Sequence, residues 1–69
     1  MNNKDELLKL ANRIKNLRIE KGVTQEIAYI DTGIHFGRIE QGKRDVSYTT
    51  LVKLSKYFNL SLNELLKNL

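Results

Sequence analysis

The 69-residue sequence contains no cysteine, no proline and no tryptophan, and it has a single histidine, His35. Without cysteine, a chain with one histidine can form neither a disulfide framework nor a Cys/His metal site. No apolar run approaches the roughly 20 residues that span a bilayer, and residues 1–6 lack the apolar stretch of a signal peptide. We therefore expect a cytoplasmic chain with no metal, no cofactor and no membrane partner, stabilised by packing alone.

The composition is that of an ordinary folded domain, with 41% hydrophobic and 29% charged residues. A chain of this length buries only about 60% of its unfolded surface and has material for one core, so residues 1–69 should form a single domain. The net charge of +4 makes a polyanion such as nucleic acid a plausible partner. The positive charge lies toward the two ends, because residues 23–45 carry a net charge of −1.

Helical spacing of apolar residues runs along almost the whole chain without a proline, so the sequence predicts an all-α fold. The first helix is expected from about Asp5 to Lys21, and Gly22 ends it. Its inward stripe has apolar residues at three- and four-residue steps and closes on a lysine: Leu7, Leu10, Ala11, Ile14, Leu17 and Lys21.

Two short helices are expected next, and the first of them is capped by Thr24. This helix should run to about Asp31, with Ile27 and Ala28 facing inward. Gly33 can adopt a positive φ, so it is suited to end the helix.

The third helix is expected from Ile34 to Gln41, with Gly42 after it. Gly37 lies inside this helix, at a cost of about 1 kcal/mol relative to alanine. Such a cost indicates that another surface approaches the backbone closely at Gly37.

Two serines, Ser47 and Ser61, are suited to cap the last two helices. The inward stripe of the fourth helix is Leu51, Leu54, Ser55 and Phe58. The fifth begins with a capping box, Ser61 to Glu64, and carries a leucine stripe: Leu62, Leu65, Leu66 and Leu69. The sequence thus predicts a compact five-helix domain.

The short helices within residues 24–41, flanked by longer ones, resemble a helix-turn-helix. From about Leu10 to Leu66 the sequence resembles the phage-repressor/Xre family of helix-turn-helix transcriptional regulators, particularly the small controller proteins of restriction-modification systems. The blocks that carry the resemblance are Ile14-Lys15-Asn16-Leu17-Arg18, Lys21-Gly22-Val23-Thr24-Gln25-Glu26, Arg38-Ile39-Glu40-Gln41-Gly42-Lys43-Arg44, Leu51-Val52-Lys53-Leu54-Ser55 and Leu60-Ser61-Leu62-Asn63-Glu64-Leu65-Leu66. The resemblance implies a lambda-repressor-like fold and a sequence-specific regulator of transcription that binds double-stranded DNA, with a recognition helix at about 33–41 in the major groove.

The resemblance also implies which residues contact DNA. Thr24 and Gln25 open the first short helix, where the Gln25 amide can reach a phosphate or brace a base-reading side chain. Lys43 and Arg44 follow the recognition helix, where the family meets the phosphate backbone. Base reading is expected from side chains that can donate hydrogen bonds on the third helix and in the turn before it: Thr32, His35 and Arg38. Because residues 23–45 have a negative net charge, much of the phosphate attraction is expected from flanking cations: Arg13, Lys15, Lys43 and Arg44.

Two more sets of residues have implied roles. Arg18 and Glu40 match a pair that, in the family, joins the first helix to the end of the recognition helix, and we interpret them as a structural ion pair. Family members dimerise through their carboxy-terminal helices, so a homodimer on a two-fold operator is expected. The candidate interface is Tyr57, Leu62, Leu66 and Leu69, for which the alternative is ordinary core.

The spacing between the two short helices departs from the family pattern. The interval from Gln25 to Glu40 is 15 residues, and the family interval is longer by about three. Taking Gly33 as the turn glycine leaves the recognition helix short, whereas anchoring on residues 30–31 keeps that helix and shortens its partner. Exchange of these elements between two chains is a further alternative.

Three residues are less than one turn of about 3.6, so their loss rotates whatever follows by about 60° relative to the helix before it. We expect the deficit to fall at the junction between Ala28 and Phe36, with Ile27 and Ile39 remaining buried. Base reading should then be weakened more than folding, since a core tolerates repacking when volume and pattern persist.

Asp31 and His35, spaced i to i+4, could face each other like half of a catalytic triad, but no positioned nucleophile accompanies them. We therefore expect no enzyme. The alternative to a DNA-binding regulator is a helical protein-interaction module, antitoxin-like or a regulatory partner, with weak or no specific DNA binding. A steep fall of DNA affinity with salt would favour the regulator, and a flat response would favour the module.

Overall fold

A computed structural model describes residues 3–69, apart from the Asn3 side chain, so two residues of the predicted 1–69 domain lie outside it. Within this stretch every regular element is a helix. The five helices are α1 (Asn3–Lys21), α2 (Gln25–Thr32), α3 (Phe36–Glu40), α4 (Tyr48–Tyr57) and α5 (Leu62–Leu65). The all-α, five-helix prediction is confirmed. Over the same described residues, no helix is long and apolar enough to cross a bilayer.

Hydroxyl caps begin three of the helices. Thr24 and Ser47 each accept, through the side-chain oxygen, a hydrogen bond from the backbone N–H three residues later. Ser61 accepts from the Glu64 N–H while the Glu64 carboxylate accepts from the Ser61 N–H, which completes a capping box. The predicted starts of α2, α4 and α5 are therefore confirmed.

Each helix contributes one side chain to the centre of the core, and the turn between α2 and α3 adds Ile34. The members are Ile14, Ala28, Ile34, Phe36, Leu54 and Leu65. Phe36 is 1% exposed, and its ring meets those of Tyr57 and Phe58 edge to face, with centroids 6.1 Å apart in both pairs. This contact fixes the start of α3 against the end of α4.

Three glycines lie just after helix ends, as the sequence predicts. Gly22, Gly33 and Gly42 have φ angles of 78°, 75° and 70°, a region that strains residues carrying a Cβ. Gly42 is also buried against α1, because a Cβ at this position would lie 2.7 Å from Leu8 Cδ2. Both helix termination and close packing therefore favour glycine at position 42.

α2 buries only one of its side chains, that of Ala28. The prediction that Ile27 faces inward is wrong, since Ile27 is 45% exposed. Successive residues of a helix point about 100° apart, so the orientation that directs Ala28 into the core turns Ile27 toward solvent. Ile39, in contrast, packs half-buried against the core.

α3 is shorter than the predicted span of Ile34 to Gln41. It begins only at Phe36, because Ile34 is a buried turn residue and His35 has the non-helical angles φ −79° and ψ 85°. α2 extends to Thr32 and ends at Gly33. Of the arrangements that the sequence allows, the structure has the one in which Gly33 is the turn glycine and the recognition helix loses its first turn.

Arg13 holds the short helix α5 in place. Its guanidinium donates from Nε to the Leu65 carbonyl at 3.0 Å and from Nη2 to the Glu64 carbonyl at 2.9 Å. The last carbonyls of a helix have no intrahelical partner, so Arg13 caps α5 from α1. The structure gives Arg13 this internal role, and its predicted contribution to phosphate attraction stays a prediction.

Candidate nucleic-acid interface

An ion pair joins α1 to the end of α3. Arg18 donates from Nε to Glu40 Oε2 at 2.7 Å and from Nη2 to Oε1 at 3.1 Å. Its Nη1 donates to the Val23 carbonyl at 2.9 Å, so the loop before α2 joins the same cluster. The two charged side chains are 13% and 5% exposed. The hydrogen bond to Glu40 is the main cause that raises the pKa of Arg18, and desolvation partly opposes it.

Gln25 connects α2 to this ion pair. Its Nε2 donates to Glu40 Oε1 at 3.1 Å. Its own Oε1 would lie 3.3 Å from a Cβ at Gly37, which is tighter than ordinary contact. The sequence prediction that another surface approaches Gly37 closely is therefore confirmed, and that surface is the Gln25 side chain. Through these contacts α2 and α3 have a fixed relative position.

An open groove of about 400 Å³ lies between α3 and the start of α4. Arg38 from α3, Arg44 from the following loop and Lys53 from α4 line it, and all three side chains are at least partly exposed. Asp45 lines it as well, so the groove carries three cations and one carboxylate. The N-cap Ser47 lies at the same groove, which places the amino-terminal end of α4 beside the cations.

An aromatic pair stands at the other end of α3. The rings of Tyr29 and His35 are stacked, with centroids 4.5 Å apart and planes inclined by 28°. Tyr29 is 44% exposed and His35 is exposed too. His35 is the N-cap residue of α3 and also lines the groove with Arg38. The stack thus continues the groove toward α2.

Two residues that are predicted to contact DNA also make structural hydrogen bonds. The Thr32 hydroxyl donates to the Ala28 carbonyl at 2.7 Å and accepts from the Ile34 N–H at 3.0 Å. Both bonds stabilise the turn after α2, and base reading by Thr32 stays a prediction. Thr24 caps α2 with its hydroxyl. Lys43, by contrast, is exposed on the loop after α3.

Tyr57 is engaged within the chain. Its hydroxyl donates to Asp31 Oδ2 at 2.7 Å, and the Lys21 Nζ lies 4.7 Å from its ring centroid. Desolvation, followed by the bond to Asp31, raises the pKa of Tyr57 to about 12. Since Asp31 bonds Tyr57 while His35 stacks on Tyr29, the two residues considered as half a triad have different partners.

The other candidates for a dimer interface divide into two groups. Leu62 is half-buried against the core, whereas Leu66 and Leu69 are 37% and 41% exposed. α5 ends at Leu65, so the leucine stripe predicted for one helix continues into a turn. Leu66 and Leu69 are therefore the leucines of this set that are available to a partner.

The sequence does not predict the positions that three residues take at or near the site: Tyr29, Lys53 and Arg13. Tyr29 follows Gln25 by four residues, so helical spacing puts both on the face of α2 that meets α3. Lys53 follows Ser47 and Thr50 at three-residue steps, which places it on the groove side of α4. No local pattern predicts the contact of Arg13 with α5, since the partners are more than 50 residues apart.

A family model described as helix-turn-helix matches residues 37–65. The match covers less than half of the chain; it includes Arg38, Arg44 and Lys53 but not α2. It supports a DNA-binding helix-turn-helix regulator of the Xre/lambda-repressor-like type, and it does not distinguish the controller proteins of restriction-modification systems. No curated protein and no solved structure matches the chain.

Proposed function

We propose that this chain regulates transcription by binding double-stranded DNA sequence-specifically, as a homodimer on a two-fold operator. The observation that carries the proposal is the groove between α3 and α4, where Arg38, Arg44 and Lys53 converge. Cations on one face neutralise phosphates and release their counterions, which supplies most of the affinity of a DNA-binding protein. The groove therefore gathers cations on one face, although residues 23–45 as a whole carry a net charge of −1.

α3 presents fewer base-reading side chains than the predicted recognition helix at about 33–41. Its five residues span only about 7.5 Å at a rise of about 1.5 Å per residue. Phe36 and Ile39 pack inward and Glu40 is held by Arg18, which leaves Arg38 as the polar side chain of α3 that can reach a base. Arg38 can bind a guanine edge in the major groove with two hydrogen bonds.

The phosphate contacts follow from the same geometry. Arg44 and Lys53 approach the backbone from the groove, and Lys43 does so from the exposed loop before it. Gln25 lies at the start of α2, and its amide, which donates to Glu40, is a further candidate for a phosphate contact. The proposed dimer interface uses the exposed Leu66 and Leu69 as its apolar contact. It does not use Tyr57, because the ring and the hydroxyl of Tyr57 have partners inside the chain.

The salt dependence of DNA binding tests the proposal. The logarithm of the affinity should fall linearly with the logarithm of salt, with a slope near −0.9 per phosphate contacted. Lys53→Ala should reduce the slope by about one contact, whereas Lys56→Ala, on the same helix but outside the groove, should leave it unchanged. Equal slopes for both variants, or a flat response of the native chain, would exclude the groove as the phosphate site.

One observation favours the protein-interaction module as a second candidate. On the outer side of α2, Ile30 is 73% exposed and Ile27 is 45% exposed. Neighbouring exposed isoleucines are typical of a surface that binds another protein. If the native chain shows a flat salt response and selects no sequence from a random duplex pool, this second function is the better one.

A further inference from the structure

Because the recognition helix is shortened, one candidate for base reading lies just outside it, in the turn before α3. The reading side chain of α3 is Arg38, and the residue just before α3 is His35. A single arginine reads one base pair, which is too little for a specific operator. The next candidate along the groove is the His35 imidazole.

Stacking fixes the orientation of this imidazole. Tyr29 covers one face of the His35 ring at 4.5 Å between centroids, which restricts rotation of the His35 side chain. Stacking uses ring faces, whereas the ring nitrogens lie on the edge and form hydrogen bonds in the ring plane. Within residues 3–69 these nitrogens have no hydrogen-bond partner. An ordered ring with free edge nitrogens loses little conformational entropy on binding.

An exposed aromatic pair contributes little to the core. Tyr29 is 44% exposed and lies on α2, whose buried residue is Ala28. The pair sits between Gln25, one turn earlier on α2, and the cationic groove that contains Arg38. Its position is therefore the DNA-facing side of the proposed interface and not the outer side of α2.

We propose that Tyr29 is a positioning residue that holds His35 to read a purine, in place of the missing first turn of the recognition helix. A ring N–H of His35 donates to purine N7, the acceptor that adenine and guanine share in the major groove. Arg38 reads a guanine at a neighbouring position. The inference rests on the proposed DNA-binding function and adds a specificity residue to it.

The test is selection of bound sequences from a random duplex pool by the native chain, His35→Ala, Tyr29→Leu and Tyr29→Phe. His35→Ala and Tyr29→Leu should both lose the purine preference at the same base pair, by about two- to tenfold, the range of one net hydrogen bond. The guanine preference attributed to Arg38 should persist. Tyr29→Phe keeps the ring and should keep the full native consensus.

A double variant, Tyr29→Leu with His35→Ala, should discriminate no less than His35→Ala alone, because Tyr29 acts through His35. Tyr29→Gln is a second ring-free variant, and circular dichroism checks that each variant is helical. Equal weakening of all duplexes by Tyr29→Leu, or a purine preference that survives in both ring-free variants, would overturn this inference and leave the proposed function standing. If the native chain selects no consensus, the proposed function has failed and the inference fails with it.

Discussion

α2 and α4 are helices of similar length that are held in different ways. α4 buries Leu54 and Ser55 and packs further side chains against the core, whereas α2 buries Ala28. The position of α2 depends instead on polar contacts, chiefly the Gln25 bond to Glu40 and the turn bonds of Thr32. Because α2 contributes a single small side chain to the core, a shift of α2 disturbs the core less than a shift of α4, which suits the recognition surface that we propose.

Truncation at the two helices gives the largest expected difference. Leu54→Ala removes a fully buried side chain and should lower the free energy of unfolding by about 2–5 kcal/mol. Ile27→Ala, at the exposed side of α2, should change it by at most about 0.5 kcal/mol. Urea denaturation followed by circular dichroism measures both, and losses of equal size would show that Ile27 is part of the core after all.

The second largest loss of stability is expected from breaking the polar contacts of α2 and α3. Arg18→Ala or Glu40→Ala leaves one largely buried charge without its partner, so each should cost about 3 kcal/mol or somewhat less at this partly solvated site. The double variant should cost less than the sum of the two. Gln25→Ala, which leaves the ion pair intact, is the matched control with a smaller loss. Additive losses for Arg18 and Glu40 would contradict a direct coupling.

Backbone strain at the turn ranks third. Gly33 has a φ of 75°, and a Cβ at this position would meet no other atom within 4 Å, so Gly33→Ala tests backbone conformation alone. It should lower stability by about 1–2 kcal/mol. Gly33→Asn should cost less, because asparagine tolerates left-handed backbone. Thermal or urea unfolding measures both variants, and equal losses would indicate a cause other than φ.

Local signals in the sequence predict most of the fold. The hydroxyl caps Thr24, Ser47 and Ser61 are followed by helices, and glycines end several of the helices, because caps and stops act over a few residues. The direction of α2 could not be predicted this way. At about 100° per residue its apolar residues Ile27, Ala28 and Ile30 cover an arc of about 160°, so periodicity leaves open which of them faces the core.

The site residues that charge and spacing identify could be predicted from the sequence. Contacts that depend on the packing of separate helices could not. Arg38 and Arg44 follow from the family resemblance and lie at one groove. The bond of Arg13 to α5 and the stack of Tyr29 on His35 depend on how the helices meet. The interval of 15 residues indicates a deficit, but only the non-helical backbone of His35 shows that the start of α3 is what is missing.

The smallest expected effect concerns the contact between the end of α2 and the end of α4. Tyr57→Phe removes the hydroxyl that bonds Asp31 and should lower the free energy of unfolding by about 0.5–1.5 kcal/mol near neutral pH.

The pKa of Tyr57 is raised to about 12 in the folded chain from an ordinary value of 10.0. A raised pKa contributes stability below the unfolded value and loses it as pH rises through the folded value. The difference in unfolding free energy between the native chain and Tyr57→Phe should therefore be constant below pH 10 and shrink between pH 10 and about 12. Tyr29 and Tyr48 are present in both proteins, so the difference isolates Tyr57. A difference that does not change across this range would mean that the Tyr57 hydroxyl does not link α2 to α4 in solution.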